Sequence, residues 1–203
     1  MIRRMVLTCA ALALMGALHT AAKAAPVTLT QGQSVTYTFT SSLAPGVTAT
    51  GTFTLQGDKL ILTLTNTSSN PNIRIDAFGL TTNPDVTVGA NAFSGQLSSF
   101  EFCSNGCKMG NKYEITAKSN TGNSTLNANQ TGTVTFSLGS ALTSITIQDV
   151  AIHFIALPNG QSDKVNGVPE AVPEPATMIL LGTGLAGAAA DLRRRRRNKA
   201  TQQ

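Results

Sequence analysis

The chain has 203 residues, of which 12% are charged and 5% aromatic, and a formal net charge of +5, enough for one globular domain plus further segments. The positive excess sits at the two ends. Between positions 25 and 168, six basic residues (Lys59, Arg74, Lys108, Lys112, Lys118, Lys164) face seven acidic ones (Asp58, Asp76, Asp85, Glu101, Glu114, Asp149, Asp163). A surface that tracks phosphates needs Lys and Arg clustered on the folded body, so nucleic acid is not an expected partner.

Residues 1–24 have the three parts of a secretory signal peptide. Arg3 and Arg4 supply the positive start, residues 5–18 an apolar run too short for a comfortable membrane span, and Ala22-Lys23-Ala24 a small-x-small site. Signal peptidase of the general secretion machinery is expected to cut after Ala24; the alternative is an uncleaved N-terminal anchor. Removal of this segment takes Cys9 with it and leaves Cys103 and Cys107, an even pair in an exported domain, the usual sign of a disulfide.

From 27 to 157 the dominant period is two. Val35, Tyr37 and Phe39 alternate with Thr36, Thr38 and Thr40; Ala49, Gly51, Phe53 and Leu55 alternate with Thr48, Thr50, Thr52 and Thr54. Gly57-Asp58 then turns the chain into Leu60, Leu62 and Leu64, and later strands are predicted over 113–117, 134–138 and 145–156. One apolar and one hydroxyl-rich face per strand is the signature of antiparallel sheets. In the last segment Ile145 and Ile147 share one parity and Val150, Ile152 and Phe154 the other, which predicts a β-bulge near Asp149. The expected fold is all-β, an antiparallel two-layer β-sandwich of roughly seven to nine strands over 25–157. Residues 119–130 are expected as an exposed loop and 158–172 as a flexible linker.

Candidate chemistry in this domain is sparse. Cys103-Ser104-Asn105-Gly106-Cys107 permits a tight turn that joins the two sulfurs; a metal site would need further ligands, and His153 is the one histidine after the signal. His153 lies among Ile152, Phe154 and Ile155 and is expected to be structural, since no nucleophile or orienting carboxylate is marked for it. Asp76, Asp85, Glu101, Glu114 and Asp149 show no pairing and are expected as turn formers and solvated charges. Asn83-Pro84-Asp85 and Asn91 offer oxygen ligands for calcium but are equally turn chemistry. The expectation is no metal, no cofactor and no catalysis. Carbohydrate-binding domains use aromatic platforms, and here only Tyr37 and Tyr113 stand beside the phenylalanines, with no Trp.

The C-terminal end has three parts in order. Pro173-Glu174-Pro175 is a stiff joint that cannot lie inside a helix. The apolar stretch 176–190 follows; as a helix of about fifteen residues it rises only about 22 Å, less than a hydrocarbon core of about 30 Å. Arg193, Arg194, Arg195, Arg196 and Arg197 would hold the final residues on the cytoplasmic side. The short transmembrane helix and its arginine stop cluster fill 173–197, with 198–203 as a disordered tail.

This tripartite end resembles the PEP-CTERM sorting signal of Gram-negative bacteria. The resemblance implies recognition by an exosortase, a membrane-embedded processing enzyme, and a transient inner-membrane tether before release to the cell surface or the extracellular polysaccharide matrix of a biofilm. An ordinary C-terminal membrane anchor with a basic stop-transfer cluster is the alternative. Within the domain, Leu64-Thr65-Asn66-Thr67-Ser68 and Ile73-Arg74-Ile75-Asp76-Ala77-Phe78-Gly79-Leu80 are similar to the cistern family of such proteins. The expectation is therefore an exported, non-catalytic surface or matrix protein. A secreted carbohydrate-binding module is the first alternative and a small extracellular hydrolase the second.

Overall fold

The computed structural model describes residues 25–89, 92–104, 106–120 and 124–170. The expected signal peptide with its cleavage site at Ala24 lies outside them. So do the Pro173-Glu174-Pro175 motif, the apolar tail and the arginines 193–197.

Among the described residues the chain runs through β1 (Val27–Thr30), β2 (Ser34–Thr40), β3 (Thr48–Gln56), β4 (Lys59–Asn66), β5 (Arg74–Asn83), β6 (Phe93–Gly95) and β7 (Phe100–Phe102). It continues through β8 (Ile115–Ser119), β9 (Leu126–Asn127), β10 (Thr131–Ser137), β11 (Ser144–Ile155), β12 (Asp163–Asn166) and β13 (Val168–Pro169). They make two antiparallel sheets. Sheet 1 has the order β1-β11-β5-β8-β7, with β12 also on β11 and β9 also on β5; sheet 2 has the order β13-β2-β3-β4-β10-β6. The surplus over the roughly seven to nine strands expected of a sandwich comes from pieces such as β9 and β13, each two residues long and too brief to show a period.

Sheet 2 follows the alternation closely. Val35, Tyr37 and Phe39 of β2, Phe53 and Leu55 of β3, and Leu60, Leu62 and Leu64 of β4 are all buried. Their threonine neighbours face outward in register, Thr36 opposite Thr52 and Thr38 opposite Thr50. Gly57, at φ 60°, takes the first position of the two-residue β3–β4 hairpin, a conformation that costs other residues strain.

The inner faces of both sheets share one core. Phe39, Phe53, Leu62, Leu64 and Phe136 from sheet 2 cluster with Ile75, Phe78, Ile147, Ile152 and Phe154 from sheet 1. Ring contacts cross between the layers, Phe78 to Phe93 and Phe102 to Phe136, each pair with centroids 6.3 Å apart.

Sheet 1 is less regular, and its irregularities place side chains. In the β11–β5 ladder Ile147 pairs Thr82 and Asp149 pairs Thr81, so Gln148 is an extra residue. That bulge carries β11 from the 145/147 parity to the 150/152/154 parity, at the position its hydrophobic phase predicts. A second shift lies between His153↔Ala77 and Phe154↔Ile75, where Asp76 is the extra residue on β5. Ile75 and Phe78 consequently both reach the core, while Asp76 and Ala77 are left on the outer side with His153.

Two expected loops are partly strand. Residues 158–172, expected as a linker, instead begin with a 3₁₀ turn at Pro158–Gly160, add β12 along β11, and place Val168 and Pro169 against Thr38 and Tyr37 of β2. Gly167 lies tight against the core, where an added Cβ would sit 2.8 Å from the Phe39 ring. The compact body therefore runs to Pro169. Within 119–130, Leu126 and Asn127 pair Ile75 and Arg74, and Leu126 is fully buried. A single apolar residue among Asn, Thr and Gly carries too little pattern to announce that strand.

Candidate functional site

The outer face of sheet 1 is built from small residues. Ala77 and Gly79 on β5 and Ala151 on β11 make a floor, and the segment 103–114 between β7 and β8 folds across it, burying Met109 and Tyr113 against Ala77 and Ala151. The fit over Gly79 is close: a Cβ there would lie 2.5 Å from Cγ of Tyr113. A side chain at position 79 would force the ring to shift.

Polar ties hold the segment at its far side. The Tyr113 hydroxyl donates to Oδ1 of Asn166 on β12 at 3.1 Å, and Lys112 Nζ donates to the same oxygen at 3.4 Å. Lys112 also stands 3.8 Å from Asp149 Oδ2 and 4.6 Å from the Tyr113 ring centroid. Burial pushes the Tyr113 phenol above its usual range; the Asp149 charge adds to this and Lys112 opposes it.

At the near side sits a charge cluster. Asp76 is only 2% exposed, its Oδ1 lies 2.6 Å from His153 Nδ1, and its Oδ2 accepts from Lys108 of the covering segment. Burial by itself would raise the Asp76 carboxyl, yet the hydrogen bonds and charges of His153 and Lys108 outweigh it, and the net shift is downward. The ionised carboxylate receives Nδ1–H, which holds the imidazole ring in one orientation. This geometry corrects the expectation for Asp76, which is neither a turn former nor a solvated charge; Asp85 and Glu114 are exposed, as expected, and the Glu101 side chain is 44% exposed. The same geometry corrects the expectation that His153 has no orienting carboxylate. Three of the other acids have partners: Asp149 with Lys112, Glu101 with Lys118 at 3.5 Å, and Glu114 as acceptor from the Thr82 amide at 3.2 Å.

An oriented imidazole can act as a base at Nε2 when a nucleophile or a water stands within reach. Among the described residues no hydroxyl or thiol is hydrogen-bonded to Nε2, and no group of three or more His, Cys, Asp and Glu residues is arranged to hold a metal. What the cluster visibly does is tie the covering segment to the sheet.

Cys103 and Cys107 open that segment with Cα atoms 5.9 Å apart, inside the range that a disulfide spans. Gly106, at φ 69°, and Cys107, at φ 42°, curl the chain. The amides of Met109 and Gly110 both donate to the Gly106 carbonyl at 2.8 Å. Asn105 lies outside the described residues.

The Asp76–His153 pair joins residues 77 positions apart. Its sequence trace is slight: a lone acid inside the apolar run from Ile73 to Leu80, and a lone histidine inside another.

Residues 171–197 match the family model for the PEP-CTERM protein-sorting motif. No curated protein and no solved structure matches the chain. The motif implies exosortase-dependent sorting of an exported protein in an envelope of the Gram-negative type.

Proposed function

Starting from a chain whose residues 171–197 carry the PEP-CTERM sorting motif, we propose that the β-body is a non-catalytic passenger, delivered outside the inner membrane and displayed at the cell surface or in the extracellular matrix. One observation carries this reading. Among the described residues the last strand ends at Pro169, and the matched motif begins at residue 171, so in the sequence a single residue, Glu170, stands between them. The exosortase would then handle a tail presented directly by a folded domain.

In this scheme the secretion machinery exports the chain and signal peptidase removes 1–24. The apolar stretch 176–190 holds the precursor briefly in the membrane, with Arg193 to Arg197 inside. Cys103 and Cys107 close as a disulfide in the oxidising space outside, pinning the covering segment at its start.

Intact-mass measurement of the native protein after cell fractionation tests the scheme. The expected product lies outside the inner membrane, begins at Ala25 and lacks the arginine cluster. A full-length C-terminus extracted with inner membrane would overturn it in favour of a permanent anchor, and a cytosolic full-length chain would overturn export altogether.

A second reading, a carbohydrate-binding module, is favoured by one feature. Phe93, Phe100 and Phe102 line a groove of about 310 Å³ with Glu101 and Ser98 at the meeting edges of the two sheets. Phe100 is buried, and the partly exposed Phe93 and Phe102, packed together at 4.4 Å, offer the apolar surface there. Retention of the protein on the producer's purified polysaccharide separates this reading from a purely structural one.

A further inference from the structure

At one end of sheet 1 a groove of about 490 Å³ is lined by Pro71, Asn72, Arg74, Asn127 and Ala156. Its position follows from the strand pairing. Arg74 opens β5 and lies between Asn127 of β9 on one side and Ile155, the end of β11, on the other. The turn at Pro71 and Asn72 leads into β5, and Ala156 follows β11.

Three observations single this groove out. First, Arg74 is the one arginine among the described residues. It is half-buried, yet no described carboxylate comes within ion-pair distance of it; Lys108, Lys112 and Lys118 are each paired with an acid, and Lys59 and Lys164, which have no ion pair, are exposed to water. Second, the carboxamide of Asn127 is held from one side: Thr125 Oγ1 donates to its Oδ1 at 3.2 Å, and no described group accepts from its Nδ2. Third, Ala156 has φ 60°. A residue with a Cβ enters the left-handed region at a cost and holds it only where the surroundings impose it. Ala156 is part of the groove wall.

A guanidinium is a planar fork of donors that matches a carboxylate two-for-two. Amide groups beside it suit hydroxyls, which both donate and accept. A volume of about 490 Å³ falls within the size of small-molecule sites. We infer that this groove binds a carboxylate-bearing sugar unit, a uronic acid residue of an anionic polysaccharide, with Arg74 on the carboxylate and Asn72 and Asn127 on ring hydroxyls. The choice of a sugar carboxylate over a peptide one rests on the matrix placement proposed above; the demand for a carboxylate rests on Arg74 itself.

The test is calorimetric titration of the full chain, purified in detergent, with oligogalacturonate, a neutral glucan oligomer of equal length, and oligoglutamate. The inference expects binding of the oligogalacturonate that weakens as salt rises and at least tenfold weaker binding of the other two. Arg74→Gln should reduce the uronate affinity tenfold or more with the thermal midpoint held. Arg74→Lys, which keeps the charge but loses the fork, should reduce it by a smaller factor. Absence of uronate binding, equal binding of the neutral glucan, or unchanged affinity in Arg74→Gln overturns the inference. Stronger binding of oligoglutamate overturns the sugar assignment in favour of an acidic protein partner. Because binding is read in solution, a protein that is correctly sorted and binds no uronate refutes this inference alone. One that binds but stays in the inner membrane refutes only the sorting scheme.

Discussion

The two outer faces of this domain solve the same problem in opposite ways. Sheet 2 turns a lattice of threonines to water, and their hydroxyls bond in cross-strand pairs: Thr36 with Thr52 at 3.1 Å, Ser34 with Thr54 at 2.8 Å, Thr65 with Thr131 at 2.9 Å. Each such pair contributes a fraction of a kcal/mol, up to about 1 kcal/mol; two of these three join strands adjacent in the chain, and Thr65–Thr131 joins β4 to β10. Sheet 1 carries small residues under a covering segment, and its polar groups join elements far apart in the chain. The difference teaches where stability concentrates: spread thinly across the threonine face, and gathered at a few buried positions on the covered one.

Substitutions can break that contrast. The largest effect is expected at Asp76, where Asp76→Ala would leave His153 and Lys108 without their shared acceptor. Leaving a buried donor without its acceptor costs up to about 3 kcal/mol, read as a fall in the urea midpoint. The same carboxylate sets an acid limit. Its folded pKa lies below the ordinary value of 3.8, so its contribution is complete above that value and is lost as pH falls through the lower folded value. Urea midpoints followed from about pH 5 to about pH 2 should fall in the native protein and fall less steeply in Asp76→Asn.

Gly79→Ala comes next. The new methyl would collide with the Tyr113 ring at 2.5 Å, and overpacking of this kind costs about 1–3 kcal/mol. Hydrogen exchange should quicken across 106–114 while β2 and β3 stay protected; equal loosening of both sheets would deny that the covering segment is a separate layer. Cys103→Ser should cost less, about 2 kcal/mol at most for so small a ring, with the change again confined to that segment.

Alkaline titration sharpens the contrast from the other layer. Tyr37, 2% exposed and edge-on to Phe53 at 5.8 Å, has its phenol pushed up to about 12 by burial and, less, by Asp149. A raised folded pKa adds stability that is whole below the unfolded value of 10 and is lost as pH climbs through about 12. Tyr37→Phe should therefore flatten part of the alkaline decline in the urea midpoint. The smallest effect is expected at Thr52→Ala, within about 1 kcal/mol; a loss comparable with Asp76→Ala would erase the distinction between the faces.

Legibility follows the same divide. β2, β3 and β4 could be read directly, because one face meets water and the other the core, and composition alternates with the environment. β5, at the centre of sheet 1, could not. Ile75 through Leu80 are buried without interruption, since the core covers one face and the segment 103–114 the other, and a strand covered on both sides has no period to show. The bulge at Gln148 was readable because it flips a hydrophobic phase; the bulge at Asp76 flips a phase that an unbroken buried run conceals.

The sequence by itself determined the all-β class, the alternating strands of sheet 2, the phase change in β11 and the sorting motif at the C-terminal end, since each is written in neighbouring residues whose spacing or order carries the physics. Only the tertiary structure decided that Asp76 meets His153 and Lys108, that Tyr113 lies on Gly79, that residues 163–166 and 168–169 are strand and not linker, and that Arg74 stands in a groove with Asn127. Those pairings span tens of residues. They arise when two sheets close on one core and bring together side chains between which no local pattern exists.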